Sequence, residues 1–311
     1  MPKIGFIGQG WIGKNYADNF EQRGFEVARY GLEAEYNGNK EKIKNCDIVF
    51  IAVPTPTVPE KGFVDSIARE AVKLAGAKKI VVIKSTLIPG TTESIQAENP
   101  NVYIFHSPEF LTRHTATYDV ANPARNIIGI PIDSDEYKQK AEEVMAVLPQ
   151  ALFKIICHSK DAELAKYGGN CFFYFKNIFM NLFYDLAKGT GRDWDTIRKI
   201  IIADPRIGEV HTEPVNKGGR GAGGDCLIKD FESFLQFYKE AVGNELGIKA
   251  LESVKNKNIY LLAKSGKDIE LLKGVYGEDM INDVLRSLEE EAGTFKDKTT
   301  AETIILNEIE K

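Results

Sequence analysis

KIGFIGQGWIGKNYADNFEQRG, residues 3–24, decides how the chain is read. A β-rich apolar run at Lys3–Ile7 leads into GQGWIG at Gly8–Gly13, and a helix-compatible run follows. Glycines at this spacing permit a tight turn, let backbone N–H groups approach a pyrophosphate and let the helix pack on the strand. Gly-rich turns are common, so the motif gains meaning from its surroundings. With a further strand predicted at Glu26–Tyr30, the unit reads as a dinucleotide cradle in which Gly8, Gly10, Trp11, Ile12 and Gly13 face the phosphates. A carboxylate that would bind the adenosine ribose is expected at the tip of that second strand, where this chain has Tyr30–Gly31. Glu33 or Glu35 could substitute, or Arg29 could favour a 2′-phosphate; NAD is the preferred cofactor and NADP stays open.

Working outward, further strands are predicted at Asp47–Val53, Lys79–Lys84, Val102–Phe105 and Asn126–Ile130. Runs such as IVFIAV and KIVVIK are apolar on both faces, as buried parallel strands are. Helical patterns such as Asp65–Ala75 and Asp135–Val147 alternate with them. Strand alternating with helix predicts an α/β fold with a doubly wound parallel sheet of the Rossmann type. Beyond His158 the texture changes: Asp161–Lys188 carries the aromatic run FFYFKNIFMNLFYDLAK and reads as a buried or interface helix. A Gly-rich segment, NKGGRGAGGDC at Asn216–Cys226, precedes helical patterns at Lys229–Gly243, Ile248–Leu262 and Met280–Glu291, and a charged tail ends the chain. The expected division is a dinucleotide-binding domain at 1–158, an all-helical dimerisation domain at 159–265 and a helical C-terminal extension at 266–311.

The chain has 311 residues, 27% of them charged and 43% hydrophobic, which fits an ordinary globular protein of about two domains. With 45 acidic and 40 basic residues its formal charge is −5, a poor basis for binding nucleic acid, and none is expected as a partner. Cys46, Cys157, Cys171 and Cys226 form no CxxC pair, and the four histidines lack metal spacing, so neither a disulfide framework nor a metal site is implied. No apolar stretch approaches the roughly 20 residues that cross a bilayer, and the N-terminus lacks the features of a signal peptide. A cytoplasmic protein without membrane contact is expected.

Seven further segments recur in one order: VPTP at Val53–Pro56, KSTLIPGTT at Lys84–Thr92, SPEFL at Ser107–Leu111, NPARNIIG at Asn122–Gly129, AELAKYGGN at Ala162–Asn170, DPRIG at Asp204–Gly208 and GRGAGGDCLIKD at Gly219–Asp230. Together they resemble the nucleotide-sugar dehydrogenase family, of which UDP-glucose and GDP-mannose 6-dehydrogenases are known types. The resemblance implies NAD-dependent four-electron oxidation of the primary alcohol of a nucleotide sugar, or another sugar, to the uronic acid. That reaction needs a group that holds the aldehyde covalently, and a cysteine does so as thiohemiacetal and then thioester. By resemblance Cys226, in the Gly-rich loop, is the nucleophile. Lys166 stabilises the developing oxyanion, while Asn170 binds the sugar or a water. Asp230 and Lys166 position the hydrolytic water, Thr86 orders it, and Glu109 does acid–base work on the thioester. Val53, Pro54, Thr55, Ser85 and Thr86 join the cofactor site. Glu109, Phe110, Leu111, Lys166, Asn170, Arg206 and Gly223 join the substrate site, with Arg206 reaching the sugar of a neighbouring subunit in a homodimer built on the helical domain.

Family members usually carry a third domain that grips the nucleotide. Here only about 50 residues follow the last family-like stretch, too few for another doubly wound unit. Arg113 also stands where relatives commonly place an acidic residue. Two other readings are kept: a two-electron β-hydroxyacid dehydrogenase, which gives Cys226 no task, and a non-catalytic dimeric cofactor-binding protein.

Overall fold

A computed structural model describes residues 1–290. It divides into two compact units: Met1–Pro56 with Phe63–Gly169, and Thr57–Gly62 with the chain from Asn170 onward.

In the first unit β1 (Ile4–Ile7), α1 (Trp11–Gln22), β2 (Val27–Tyr30), α2 (Lys40–Lys44) and β3 (Ile48–Ile51) open the fold. Two short strands come next in the chain, β4 (Thr57–Val58), which belongs to the second unit, and β5 (Gly62–Phe63), where the chain re-enters the first. Then follow α3 (Ser66–Val72), β6 (Ile80–Ile83), α4 (Thr91–Glu98), β7 (Tyr103–His106), α5 (Ala116–Ala121), β8 (Arg125–Ile130), α6 (Asp135–Val147) and β9 (Phe153–His158). Seven strands make one sheet in the order β2-β1-β3-β6-β7-β8-β9. Every neighbouring pair is parallel except β7 with β8, which runs antiparallel. The chain leaves β1 toward β2 on one side and returns to β3 on the other, so the strand order switches direction between β1 and β3. That is where an open α/β sheet forms a crevice beyond its carboxyl ends.

Both faces of the sheet are covered, which is why its central strands read as continuous apolar runs. Ile4, Phe6, Ile48, Phe50, Ile80 and Val82 point to one face and pack with Tyr16, Ala17 and Phe20 of α1 and with Ala141 and Val144 of α6. Phe6 stacks on Phe50 at 5.1 Å between ring centroids, and its edge meets Phe20 at 5.4 Å. Ile7, Val49, Ile51, Val81 and Ile83 point the other way, toward Ile43, Val72 and Ile95 on α2, α3 and α4. A buried Leu, Ile, Val or Phe side chain contributes roughly 1.5–3 kcal/mol, so these two layers dominate the unit's stability. Cys46 lies in the second layer, and burial pushes its thiol up to about 11.

A single helix, α7 (Ser159–Gly189), runs from the first unit into the second, continuous through Gly168 and Gly169. The second unit continues with α8 (Trp194–Ile202), a hairpin of β10 (Val215–Asn216) and β11 (Gly219–Arg220), α9 (Asp225–Ala241), α10 (Glu245–Lys264) and α11 (Ile269–Tyr276). A further helical run covers 278–290. Its core stacks Tyr174 of α7 flat on Phe231 of α9, 3.9 Å apart, and seats Ile228 against Ile259, Leu262 and Leu272. The charged tail expected at the end of the chain lies outside the described residues. No helix among the described residues is long and apolar enough to cross a membrane.

Candidate active site

The turn between β1 and α1 has the geometry its glycines anticipate. Gly8 sits at φ +91°, and a Cβ on it would lie 2.3 Å from the Ala52 carbonyl oxygen. A Cβ on Gly13 would lie 1.9 Å from the Gly8 carbonyl oxygen, so any larger residue there would push α1 off the strand. Gly10, by contrast, faces open space and N-caps α1 without a side-chain partner. The first-turn amides of α1 at Trp11, Ile12 and Gly13 therefore form an electropositive cradle sized for a phosphate rather than a side chain. Beside it, the Ser85 hydroxyl accepts from Val53 N–H at 3.0 Å and donates to the Val53 carbonyl at 2.7 Å. Thr55 Oγ1 donates to the Thr86 carbonyl at 2.8 Å. These bonds lock Val53, Pro54 and Thr55 beyond β3 to Ser85 and Thr86 beyond β6. At the tip of β2 the Arg29 guanidinium is taken up by Asp18 and Glu21 of α1, each at 2.7 Å. It is therefore spent on protein carboxylates, not held out for a 2′-phosphate. The Glu33 carboxylate instead folds over Gly31, whose missing Cβ would stand 2.3 Å from Glu33 Oε2. The residues fit a dinucleotide.

A second cluster is a knot of charge inside the first unit. Lys166 Nζ donates to the Glu109 carboxylate at 2.9 Å and to its backbone carbonyl at 2.7 Å, both side chains being 5% exposed. The other Glu109 oxygen accepts from Leu111 N–H at 2.8 Å. Phe110 receives the Arg125 guanidinium 3.6 Å over its ring and Lys166 Nζ at 5.4 Å. Two residues that sequence reasoning left aside join them. Buried His106 bonds through Nδ1 to the Ile83 carbonyl at 3.0 Å, and burial holds its imidazole down at about 3, hence neutral. Lys84 is equally buried, with Nζ on the Ser107 carbonyl at 2.9 Å, on its hydroxyl at 3.1 Å and 4.5 Å over the Tyr16 ring. Burial lowers the Lys84 ammonium to about 7, against the pull of Glu109, and Lys166 adds to the lowering.

A depressed lysine binds fewer protons folded than unfolded, so its contribution makes stability rise with pH from about 7 into the ordinary lysine range near 10.4. Lys84→Met is expected to remove that rise and to stabilise the protein most at the acid end of the window. Urea midpoints measured across this range check it; parallel curves for the two proteins would contradict the assignment.

In the second unit, Cys226 is not in the Gly-rich loop, as the sequence suggested. It occupies the first turn of α9, exposed, just after Gly224 at φ +87°. The loop's glycine ends the approach and the helix takes over one residue before the thiol. Asp230, one turn on and 1% exposed, accepts from Asn170 Nδ2 at 2.6 Å and from Lys229 Nζ. Lys229, next to Asp230 in sequence, is thus an ion-pair partner of a buried carboxylate. Gly223 has no room for a Cβ, which would fall 2.1 Å from Asp268 Oδ2, and the neighbouring Gly224 N–H donates to that same oxygen at 2.8 Å. Arg206 points outward, 88% exposed, held by Asp204 at 2.6 Å. Cys171 is buried beside Asp230, which together with burial pushes its thiol far up; Cys157 is half-buried and raised as well. Of the four thiols, Cys226 is the exposed one. No group of three or more His, Cys, Asp or Glu able to hold a metal occurs among the described residues.

Comparison with known proteins bears on this arrangement. Residues 28–148 match the NAD-binding domain of the UDP-glucose/GDP-mannose dehydrogenase family, and residues 160–259 match its central domain. The UDP-glucose 6-dehydrogenase of Rhizobium meliloti is 30% identical over 230 residues, covering 69% of this chain and 50% of that protein. The structure of a UDP-glucose dehydrogenase from the archaeon Pyrobaculum islandicum superposes with a TM-score of 0.70 at 26% identity, covering 88% of this chain and 71% of that one. A 3-hydroxyisobutyrate dehydrogenase from Mycobacterium tuberculosis shares the fold, with a TM-score of 0.65 at 15% identity over 93% of this chain and 99% of that one. The chain spans about half the length of the curated relatives it matches. Two domain models in family order cover more than two thirds of the sequence. This chain belongs to the UDP-glucose/GDP-mannose dehydrogenase family.

Proposed function

We propose that the protein oxidises the primary alcohol of a nucleotide sugar to the carboxylate in two successive two-electron steps, with Cys226 as the covalent anchor. The observation that carries this reading is the exposed thiol in the first turn of α9, with the buried Asp230 carboxylate one turn on along the same helix. The positive end of a helix favours an anionic sulfur, and residues four apart share a helix face.

NAD bound in the Gly8–Gly13 cradle supplies the two-electron acceptor for each oxidation. In the first, the alcohol becomes an aldehyde and a proton leaves to a base. The Cys226 thiolate adds to the aldehyde carbon, forming a C–S bond and an oxyanion that Lys166 stabilises. The second oxidation converts this thiohemiacetal to a thioester. Water, ordered by Thr86 and Asp230, attacks the thioester carbonyl; the C–S bond breaks and the thiolate is restored. The oxygen added to the sugar comes from that water. Glu109, tied to Lys166, moves the proton of the hydrolytic step, and Asn170 holds the sugar or that water through the amide it also turns to Asp230. Phe110, Leu111 and Gly223 line the sugar.

Subunit pairing belongs to the same proposal. Phe172, Phe175, Phe179, Leu182, Phe183 and Leu186 form an exposed apolar stripe at three- and four-residue spacing along α7. Such a stripe is the face of a helix awaiting a partner, and a second copy of this chain is the occupant proposed, with the exposed Arg206 directed to the partner's sugar. Phe179→Glu is expected to convert dimer to monomer in sedimentation velocity; an unchanged sedimentation coefficient, or a monomeric wild-type protein, would refute the pairing.

The test of the reaction is a panel of UDP- and GDP-sugars with limiting sugar and excess NAD. Two NADH per sugar, with uronate as product, is expected. One NADH per substrate would favour the two-electron reading, and none with any sugar would favour a cofactor-binding protein without turnover.

A further inference from the structure

Glu163 of α7 has no part in the proposed chemistry, yet it is completely buried and fully engaged. Its Oε2 accepts from Gly90 N–H at 2.6 Å, and its Oε1 accepts from Thr92 N–H at 2.9 Å and Thr92 Oγ1 at 2.6 Å. Gly90 is the N-cap of α4, at φ +96° with no side chain of its own to satisfy the first-turn amides. Glu163 does so from another helix, 71 residues away in sequence from Thr92. Nearby, Glu93 of α4 pairs with Lys160 Nζ of α7 at 2.7 Å, a second and more exposed tie between the same two helices, and with His158 Nε2 at the end of β9 at 3.1 Å.

The segment that α4 terminates is the one carrying Ser85 and Thr86. It is fixed at one end by the bonds from Val53 and Thr55, and at the other by Glu163. Lys166, one turn beyond Glu163 on α7, grips the Glu109 loop. Adjacent turns of one helix therefore hold both loops, and α7 acts as the ruler between them. We infer that Glu163 is a positioning residue: by clamping the start of α4 it sets where Thr86 stands relative to Lys166 and Glu109 during turnover. This rests on the oxidation proposed above.

The test uses the full chain and compares Glu163→Gln, Thr92→Val and Thr92→Ser with the wild type. A glutamine turns an N–H₂ toward a set of donors, so at least one of the bonds is lost while volume is kept. Displacement of a reacting group by about 1 Å can cost on the order of 100-fold. Glu163→Gln is expected to lower kcat about tenfold or more with KM for the sugar changed by less than about threefold. Thr92→Val should show a smaller loss, and Thr92→Ser should restore wild-type kcat. Amide hydrogen exchange on the protein without substrate should show lost protection in the peptide 84–92 of Glu163→Gln, while β1 and β3 stay protected. Wild-type kcat in Glu163→Gln at temperatures where it remains folded, or unchanged exchange in 84–92, overturns the inference. If the wild type oxidises no nucleotide sugar, the reaction proposal falls, and the exchange result still decides whether Glu163 holds this segment.

Discussion

Cys226→Ser is expected to stop uronate formation, with a loss on the order of 1,000-fold or more, and to cut the NADH yield from two per sugar to one or none. A serine hydroxyl preserves the size of the side chain but ionises far less readily than a thiol, even at a helix N-terminus. It is a feeble nucleophile toward the aldehyde, and an ester is a poorer acyl donor to water than a thioester. The first oxidation needs no bond to residue 226, so single-turnover NADH absorbance separates the steps: one equivalent then marks a protein stalled at the aldehyde. Cys171→Ser is the informative control, because that thiol is buried and held protonated. It should leave the yield at two while costing stability. Alkylation supplies an independent check: iodoacetamide should modify Cys226 first, with activity falling in step. A Cys226→Ser protein that still yields two NADH per sugar would end the covalent scheme, since no other thiol is exposed among the described residues.

The sequence reveals the fold best where burial is two-sided. IVFIAV and KIVVIK are legible because β3 and β6 lie between two layers of helices, so both faces must be apolar. Asp135–Val147 is recovered to the residue because Ser134 caps it, accepting from Tyr137 N–H at 3.3 Å. β9 escaped for the converse reason: Phe153–His158 is the edge strand, its first three residues exposed, and FKIICH follows neither an alternating nor a continuous pattern. α8 escaped too, being short and burying only Trp194. At the candidate site the motifs identify Lys166 and Glu109 separately, but nothing in a spacing of 57 residues says that they touch. Lys84 and Glu163 are harder still. A lysine at a strand end and a glutamate early in a helix resemble solvated charges, and their partners exist only once β6, α4 and α7 are packed. Charged residues inside these family-like segments are the available signal: KSTLIPGTT contains Lys84, and AELAKYGGN contains Glu163 and Lys166.

The pair formed by Lys166 and Glu109 allows the second large effect to be divided into stability and catalysis. Lys166→Met is expected to destabilise the protein by about 3–5 kcal/mol, because it strands a carboxylate that is 5% exposed. It should also lower kcat by about 100- to 1,000-fold through the lost oxyanion stabilisation. Lys84 modulates the first effect. Lys166 helps to keep the Lys84 ammonium depressed, so deleting Lys166 lets Lys84 hold its proton to higher pH and offset part of the charge on Glu109. The stability loss should therefore be smaller at pH 6 than at pH 8, where Lys84 is more often neutral. Adding Glu109→Gln removes the stranded charge, and the double variant should regain much of the stability, as paired removal of buried ions commonly does. It should regain none of the activity, since both the cation and the proton carrier are then gone. Urea unfolding and kcat measured on the wild type, Lys166→Met and the double variant decide the matter. A double variant no more stable than Lys166→Met would show that the lysine acts through packing over Phe110, not through charge. Near-wild-type turnover in either protein would remove the ion pair from the mechanism altogether.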